Sequence, residues 1–115
     1  MNIEKLRDLC LSLPDTVEDV KWEKDLCFLI GEKMFCVTGL DGAFGALFKA
    51  SDDLFEQLTS RSGIIPAPYL ARYKWVYVQN EEALSNQEWT EYVTRSYELI
   101  KSKLPKKVLK NLKSK

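Results

Sequence analysis

Residues 25–49 read Asp25-Leu26-Cys27-Phe28-Leu29-Ile30-Gly31-Glu32-Lys33-Met34-Phe35-Cys36-Val37-Thr38-Gly39-Leu40-Asp41-Gly42-Ala43-Phe44-Gly45-Ala46-Leu47-Phe48-Lys49. The residues alternate with a period of two, and glycine-containing breaks divide the run into three predicted strands. A two-residue turn at Gly31-Glu32 sets Ile30 opposite Lys33, which predicts Phe28 opposite Phe35 and Cys27 opposite Cys36. A second turn at Asp41-Gly42 predicts Val37 opposite Ala46 and Phe35 opposite Phe48. Both registers place Leu26, Phe28, Ile30, Phe35, Val37, Phe44, Ala46 and Phe48 on one face, the expected core. The opposite face would carry Cys27, Leu29, Met34, Cys36, Thr38, Gly45, Leu47 and Lys49. Its centre is mixed and apolar: scattered surface hydrophobes on an open antiparallel sheet are the leading reading, and partial cover or a docked partner is the alternative.

Working outward, residues 2–13 place Ile3, Leu6, Leu9, Cys10 and Leu13 at helical spacing, and Pro14 ends that helix. Residues 16–23 read as an acidic, half-extended approach to the meander that contains Trp22. Downstream, Ser51-Asp52-Asp53 is a helix start with carboxylates in the first turn, and Leu54, Phe55 and Leu58 form its apolar stripe. Residues 63–78 hold two prolines, three tyrosines, a tryptophan and two cations. Pro66 and Pro68 make this segment arrive extended and bend once, and it is expected to leave as a strand over residues 74–78. Ser85-Asn86-Gln87-Glu88 is a capping-box pattern that opens a long helix burying Trp89, Val93, Tyr97 and Ile100 before Pro105.

The predicted fold is therefore α+β, a two-layer domain with a mainly antiparallel sheet and helices on one face, in the order α-β-β-β-α-β-β-α. At 115 residues the chain has the size of one domain, read as residues 1–105 followed by a basic tail, 106–115. The tail reads as a frayed, solvated end, with a short amphipathic turn through Leu104, Val108, Leu109 and Leu112 as the alternative. Its charge is distinctive. Residues 101–115 carry seven lysines and no carboxylate, which leaves the first hundred residues ten cations against all seventeen carboxylates. A binding surface for phosphates must then be a local patch or the tail, because the body offers no basic field.

The chain has three cysteines, Cys10, Cys27 and Cys36, and no histidine. An odd, widely spaced set reads as reduced thiols, and without histidine or a Cys-x-x-Cys pair neither a zinc site nor a histidine-based catalytic group assembles by the usual means. Cys27 and Cys36, opposite each other in the predicted hairpin, would be the pair to form a redox couple, although small buried cysteines are the commoner reading. No catalytic residue, metal ligand or cofactor site is nominated. The N-terminal residues contain no apolar run long enough for a signal peptide or membrane span, and a cytoplasmic location is the expectation.

The chain resembles the MmcQ/YjbR-like family of small bacterial proteins over about residues 1–107. The likeness rests on Glu18-Asp19 with Trp22 after it, Gly31-Glu32-Lys33-Met34-Phe35, Lys49, Pro66-Ala67-Pro68-Tyr69-Leu70, Trp75-Val76, Ser96-Tyr97 and Lys103-Leu104-Pro105. It implies a fold similar to frataxin-like and secretion-chaperone-like domains, no enzymatic activity, and DNA binding through paired winglike elements. The chain departs from the family pattern at Ala71-Arg72-Tyr73-Lys74, where a more polar Asn-Lys-x-His run is usual.

DNA binding is the leading functional reading, through Lys33, Lys49, Tyr69, Arg72, Tyr73, Lys74 and the tail lysines: cations neutralise phosphates and aromatic rings stack on bases. The runner-up is a protein-interaction module that binds a partner or a second copy through the open sheet face or the Tyr69–Tyr77 stretch. A third reading makes Glu4, Asp8, Asp15, Glu18 and Asp19 an acidic metal-binding ridge, though acids interspersed with Lys5 and Arg7 more often form a solvated helix face.

Overall fold

The computed structural model describes residues 1–112. Helix α1 (Ile3–Ser12) starts where the Asn2 side chain accepts from the Lys5 backbone N–H at 2.8 Å. Strands β1 (Val17–Lys21), β2 (Asp25–Ile30), β3 (Lys33–Gly39) and β4 (Ala46–Lys49) follow as an antiparallel meander. Then come α2 (Asp52–Thr59), β5 (Ile64–Pro66), a 3₁₀ turn (Ala71–Tyr73), β6 (Trp75–Val78), a second 3₁₀ turn (Glu81–Ala83), α3 (Asn86–Ser102) and α4 (Lys106–Lys110). The six strands form one antiparallel sheet in the order β1-β2-β3-β4-β6-β5, so β6 inserts between β4 and the edge strand β5. Pro66 is tolerated in β5 because an edge strand does not need every N–H.

The α+β class and the element order agree with the sequence reading, with two additions. The acidic approach to the meander is itself a strand, β1, which pairs with β2 from Val17↔Leu29 to Lys21↔Asp25. The tail, expected to fray, forms α4 over residues 106–110, and Val108, Leu109 and Leu112 pack against the core. So short a helix holds through packing rather than propensity. Both predicted N-caps form: the Ser51 hydroxyl accepts from the Leu54 N–H, and Ser85 and Glu88 cap each other reciprocally.

The register of the meander differs from the expected one. Ile30↔Lys33 and Leu29↔Met34 pair as the turn requires, but Phe28 then faces Cys36 and Cys27 faces Val37. Phe35 is the extra residue of a β-bulge, and past it every side chain changes face. Cys36 and Thr38 therefore point into the main core, and Val37 points to the other face. Likewise Val37 pairs with Leu47, and Cys36 with Phe48, where Ala46 and Phe35 were expected. The bulge also undoes the predicted Cys27–Cys36 pair. Cys27 lies in the second cluster, whereas Cys36 lies in the main core with Cys10 of α1.

The bulge is held by a residue from α3. The buried Ser96 hydroxyl donates to the Phe35 carbonyl at 2.6 Å and accepts the Lys49 N–H at 2.9 Å, filling the place of a direct β3–β4 ladder bond. The helices cover one face of the sheet, where Leu6, Phe28, Ile30, Phe35, Phe48, Leu58, Trp89 and Val93 form the main core. The other face is partly covered by its own chain: Ala67 and Trp75 bury against Cys27, Leu29 and Val37, with Met34, Leu47, Leu70 and Tyr77 around them. No helix among the described residues is long and apolar enough to cross a membrane.

Candidate nucleic-acid interface

The corner where β4 ends and β6 begins, Lys49↔Trp75, is tied by the Ala50 N–H to the Lys74 carbonyl at 2.9 Å. Lys74 itself takes a left-handed conformation, φ 66°, to turn the chain from the 3₁₀ segment into β6. The Lys49 ammonium donates to the Tyr73 carbonyl and so fastens β4 to that segment. On the other side of the corner stand the β2–β3 hairpin, whose first residue after the turn is Lys33, and the end of α3, after which comes Lys103. The Ser96 bridge, two helical turns before Lys103, sets how α3 lies on β3 and β4.

Together these elements enclose a groove of about 450 Å³ lined by Lys33, Met34, Lys49, Leu70, Tyr73, Trp75, Ile100, Lys103 and Leu104. Its floor is apolar, its wall carries three ammonium groups and one phenol, and no carboxylate lines it. The lysines feel one another. Partial burial pushes the Lys49 pKa below that of an ordinary lysine, and repulsion from Lys103 adds to the effect, with Asp52 opposing it. A pair of cations held at some electrostatic cost is relieved by an anion, so the groove is chemically suited to a phosphate or carboxylate.

Of the six residues singled out in the sequence, Lys33, Lys49 and Tyr73 line this groove, and Tyr69, Arg72 and Lys74 do not. Tyr69 is 99 % exposed, next to the groove-lining Leu70. The Arg72 guanidinium lies over the Tyr73 ring at 5.0 Å, and the Lys74 ammonium lies over Phe55 at 5.0 Å, turned to the helical layer. Lys103, which the sequence does not single out, also lines the groove; a lysine at the end of the capping-box helix, just before Pro105, is the signal that points to it. Lys106, Lys107 and Lys110 are exposed on α4, and Lys113 and Lys115 lie outside the described residues.

The acidic-ridge reading finds no support in the geometry. Glu18 is engaged by the Arg7 guanidine N–H at 2.7 and 3.0 Å, and among the described residues no group of three or more His, Cys, Asp or Glu side chains is placed to hold a metal ion.

A family model described as YjbR matches residues 11–99. Among solved structures, the chain is similar to Deinococcus radiodurans protein DR2400, with a DUF419 domain, at 23 % identity and a TM-score of 0.85, covering 95 % of this chain and 86 % of that one. A Pseudomonas syringae protein aligns at 22 % identity and a TM-score of 0.72, covering 86 % of this chain and 98 % of that one. At these identities the likeness establishes a shared fold. A search of curated proteins returns no match.

Proposed function

The chain belongs to the YjbR family, and from that premise we propose that it is a non-enzymatic DNA-binding protein whose folded body contacts phosphates through the lysine-walled groove. The observation that carries this reading is the convergence of Lys33, Lys49 and Lys103 on one concavity without a carboxylate, in a body that is otherwise acidic. Clustered cations release counterions when they meet a phosphate backbone, which supplies affinity without base readout. The protein-interaction alternative draws less support, because Trp75 and the centre of the second sheet face are buried by the chain's own residues.

The test is anisotropy of a labelled random duplex over a salt series. Three phosphate contacts give a log–log salt slope of roughly −2.7, and each of Lys33→Gln, Lys49→Gln and Lys103→Gln lowers its magnitude by about 0.9. Neutralising the exposed Lys106, Lys107 and Lys110 together leaves most of the affinity. No binding at low salt, or binding lost only with the tail charges, sinks the proposal.

A further inference from the structure

Building on the DNA-binding reading, we propose that the groove takes an unpaired stretch of nucleic acid, with Tyr69 and the Arg72–Tyr73 pair stacking on bases while Lys33, Lys49 and Lys103 hold the backbone.

The aromatic corner is the reason. Tyr69 is 99 % exposed and Tyr73 51 %, and they flank Leu70, which lines the groove. Tyr69 takes a left-handed backbone conformation, φ 65°, which an aromatic L-residue seldom adopts. Lys74, at the other end of the same segment, is left-handed as well. Two strained residues in six, closed by Leu70 N–H to Ala67 and Tyr73 N–H to Leu70 bonds, hold the loop with the Tyr69 ring in solvent, one residue from the groove-lining Leu70. Packing does not explain this, since the ring is in water.

A ring presented in this way has a partner only where a base face is open. In a duplex the faces are hidden in the stack, and a protein reads edges with an element that enters a groove. Here the cations line a recess, and the projecting element is a short 3₁₀ turn rather than a helix or long ribbon. A recess of about 450 Å³ lies in the usual range for ligands of nucleotide size. Three lysines on an acidic body make a weak electrostatic grip, and stacking supplies the remaining affinity regardless of sequence. The same chemistry serves DNA and RNA.

The experiment compares a short, labelled mixed-sequence single strand with the same strand annealed to its complement, at low salt and with the full chain. The single strand binds about tenfold tighter than the duplex; Tyr69→Ala loses about tenfold for the single strand alone, and Tyr69→Phe retains it. The melting temperature of Tyr69→Ala should match that of the parent, because the exposed ring supports no packing. Equal or tighter duplex binding, or a Tyr69→Ala variant that holds the single strand as the parent does, overturns this inference. If Lys49→Gln still weakens binding in that case, the DNA-binding reading stands without it; if neither probe binds, both fall.

Discussion

Replacing Ser96 by alanine removes a hydroxyl that two backbone groups depend on. Its O–H donates to the Phe35 carbonyl at 2.6 Å and its oxygen accepts the Lys49 N–H at 2.9 Å, in a residue with no solvent exposure. Without it the Phe35 carbonyl and the Lys49 amide both lose this partner. A buried polar group left without a partner costs about 1–3 kcal/mol, and two of them, partly relieved by relaxation, cost about 2–4 kcal/mol. For a chain of this size about 1 kcal/mol moves Tm by roughly 4 °C, so the variant melts roughly 8–16 °C lower. With an m-value of about 2 kcal/mol per molar, the urea midpoint falls by about 1–2 M at constant m. The assay is tryptophan fluorescence in urea with a thermal melt beside it. Ser102→Ala, which removes an exposed hydroxyl bonded only to its own helix, is the control and stays within about 0.5 kcal/mol. Because the bridge also sets the end of β4, Ser96→Ala shifts Lys49, and under the proposed function it weakens nucleic-acid binding as well. A Ser96→Ala variant as stable as the control would refute the claim that this hydroxyl replaces a ladder bond.

Three further outcomes follow from the same geometry. Gly31→Ala, at φ 55° and with its new Cβ 2.7 Å from Leu104 Cδ1 and 2.9 Å from Val108 Cγ1, costs about 2 kcal/mol and loosens α4 from the hairpin, read by unfolding and by amide exchange of residues 106–110. The Arg61 guanidinium and the Ser85 N–H hold Glu88 at a pKa of about 2, below its ordinary 4.5. The stability this lends is therefore complete above the ordinary value and lost as pH falls through about 2. Glu88→Gln, which keeps a capping-box side chain, should cost on the order of 1 kcal/mol at pH 7, the half-open pair being screened by water, and nothing at the acid end; equal losses at both pH values would contradict the ion pair. Finally, the hydrogen bond to Cys36 and burial push the Cys10 thiol far up, and burial raises Cys27, so a thiol reagent labels neither quickly in native buffer and all three cysteines in denaturant. Two fast native thiols would contradict the packing.

Much of the architecture follows from neighbours in the sequence. Helix starts at Ser51 and Ser85 are readable because a cap acts within three residues, and the Gly31-Glu32 turn because it acts within four. The period-two runs distinguish strands from helices without reference to the rest of the chain, and with the apolar helix stripes they determine an α+β domain. The lysines at strand ends were likewise visible, though nothing local said whether they meet.

What only the tertiary structure decided depends on partners far away in the chain. A bulge at Phe35 is unfavourable on any local count, and it persists because Ser96, 61 residues on, satisfies the freed carbonyl. Since strand parity is two, that single residue moved Val37 to one face and Cys36 to the other. Strand β1, with every residue but Lys21 exposed, has no buried alternation to announce it and exists through its pairing with β2. Likewise, α4 is too short to form unaided and stands on its contacts with the core. The groove depends on all of these. Lys33, Lys49, Tyr73 and Lys103 come from three strand or helix ends and one loop, and they converge because β6 inserts beside β4 and α3 is pinned across β3 and β4. Local chemistry sets what each segment is, whereas long-range hydrogen bonds and shared burial set which segments meet.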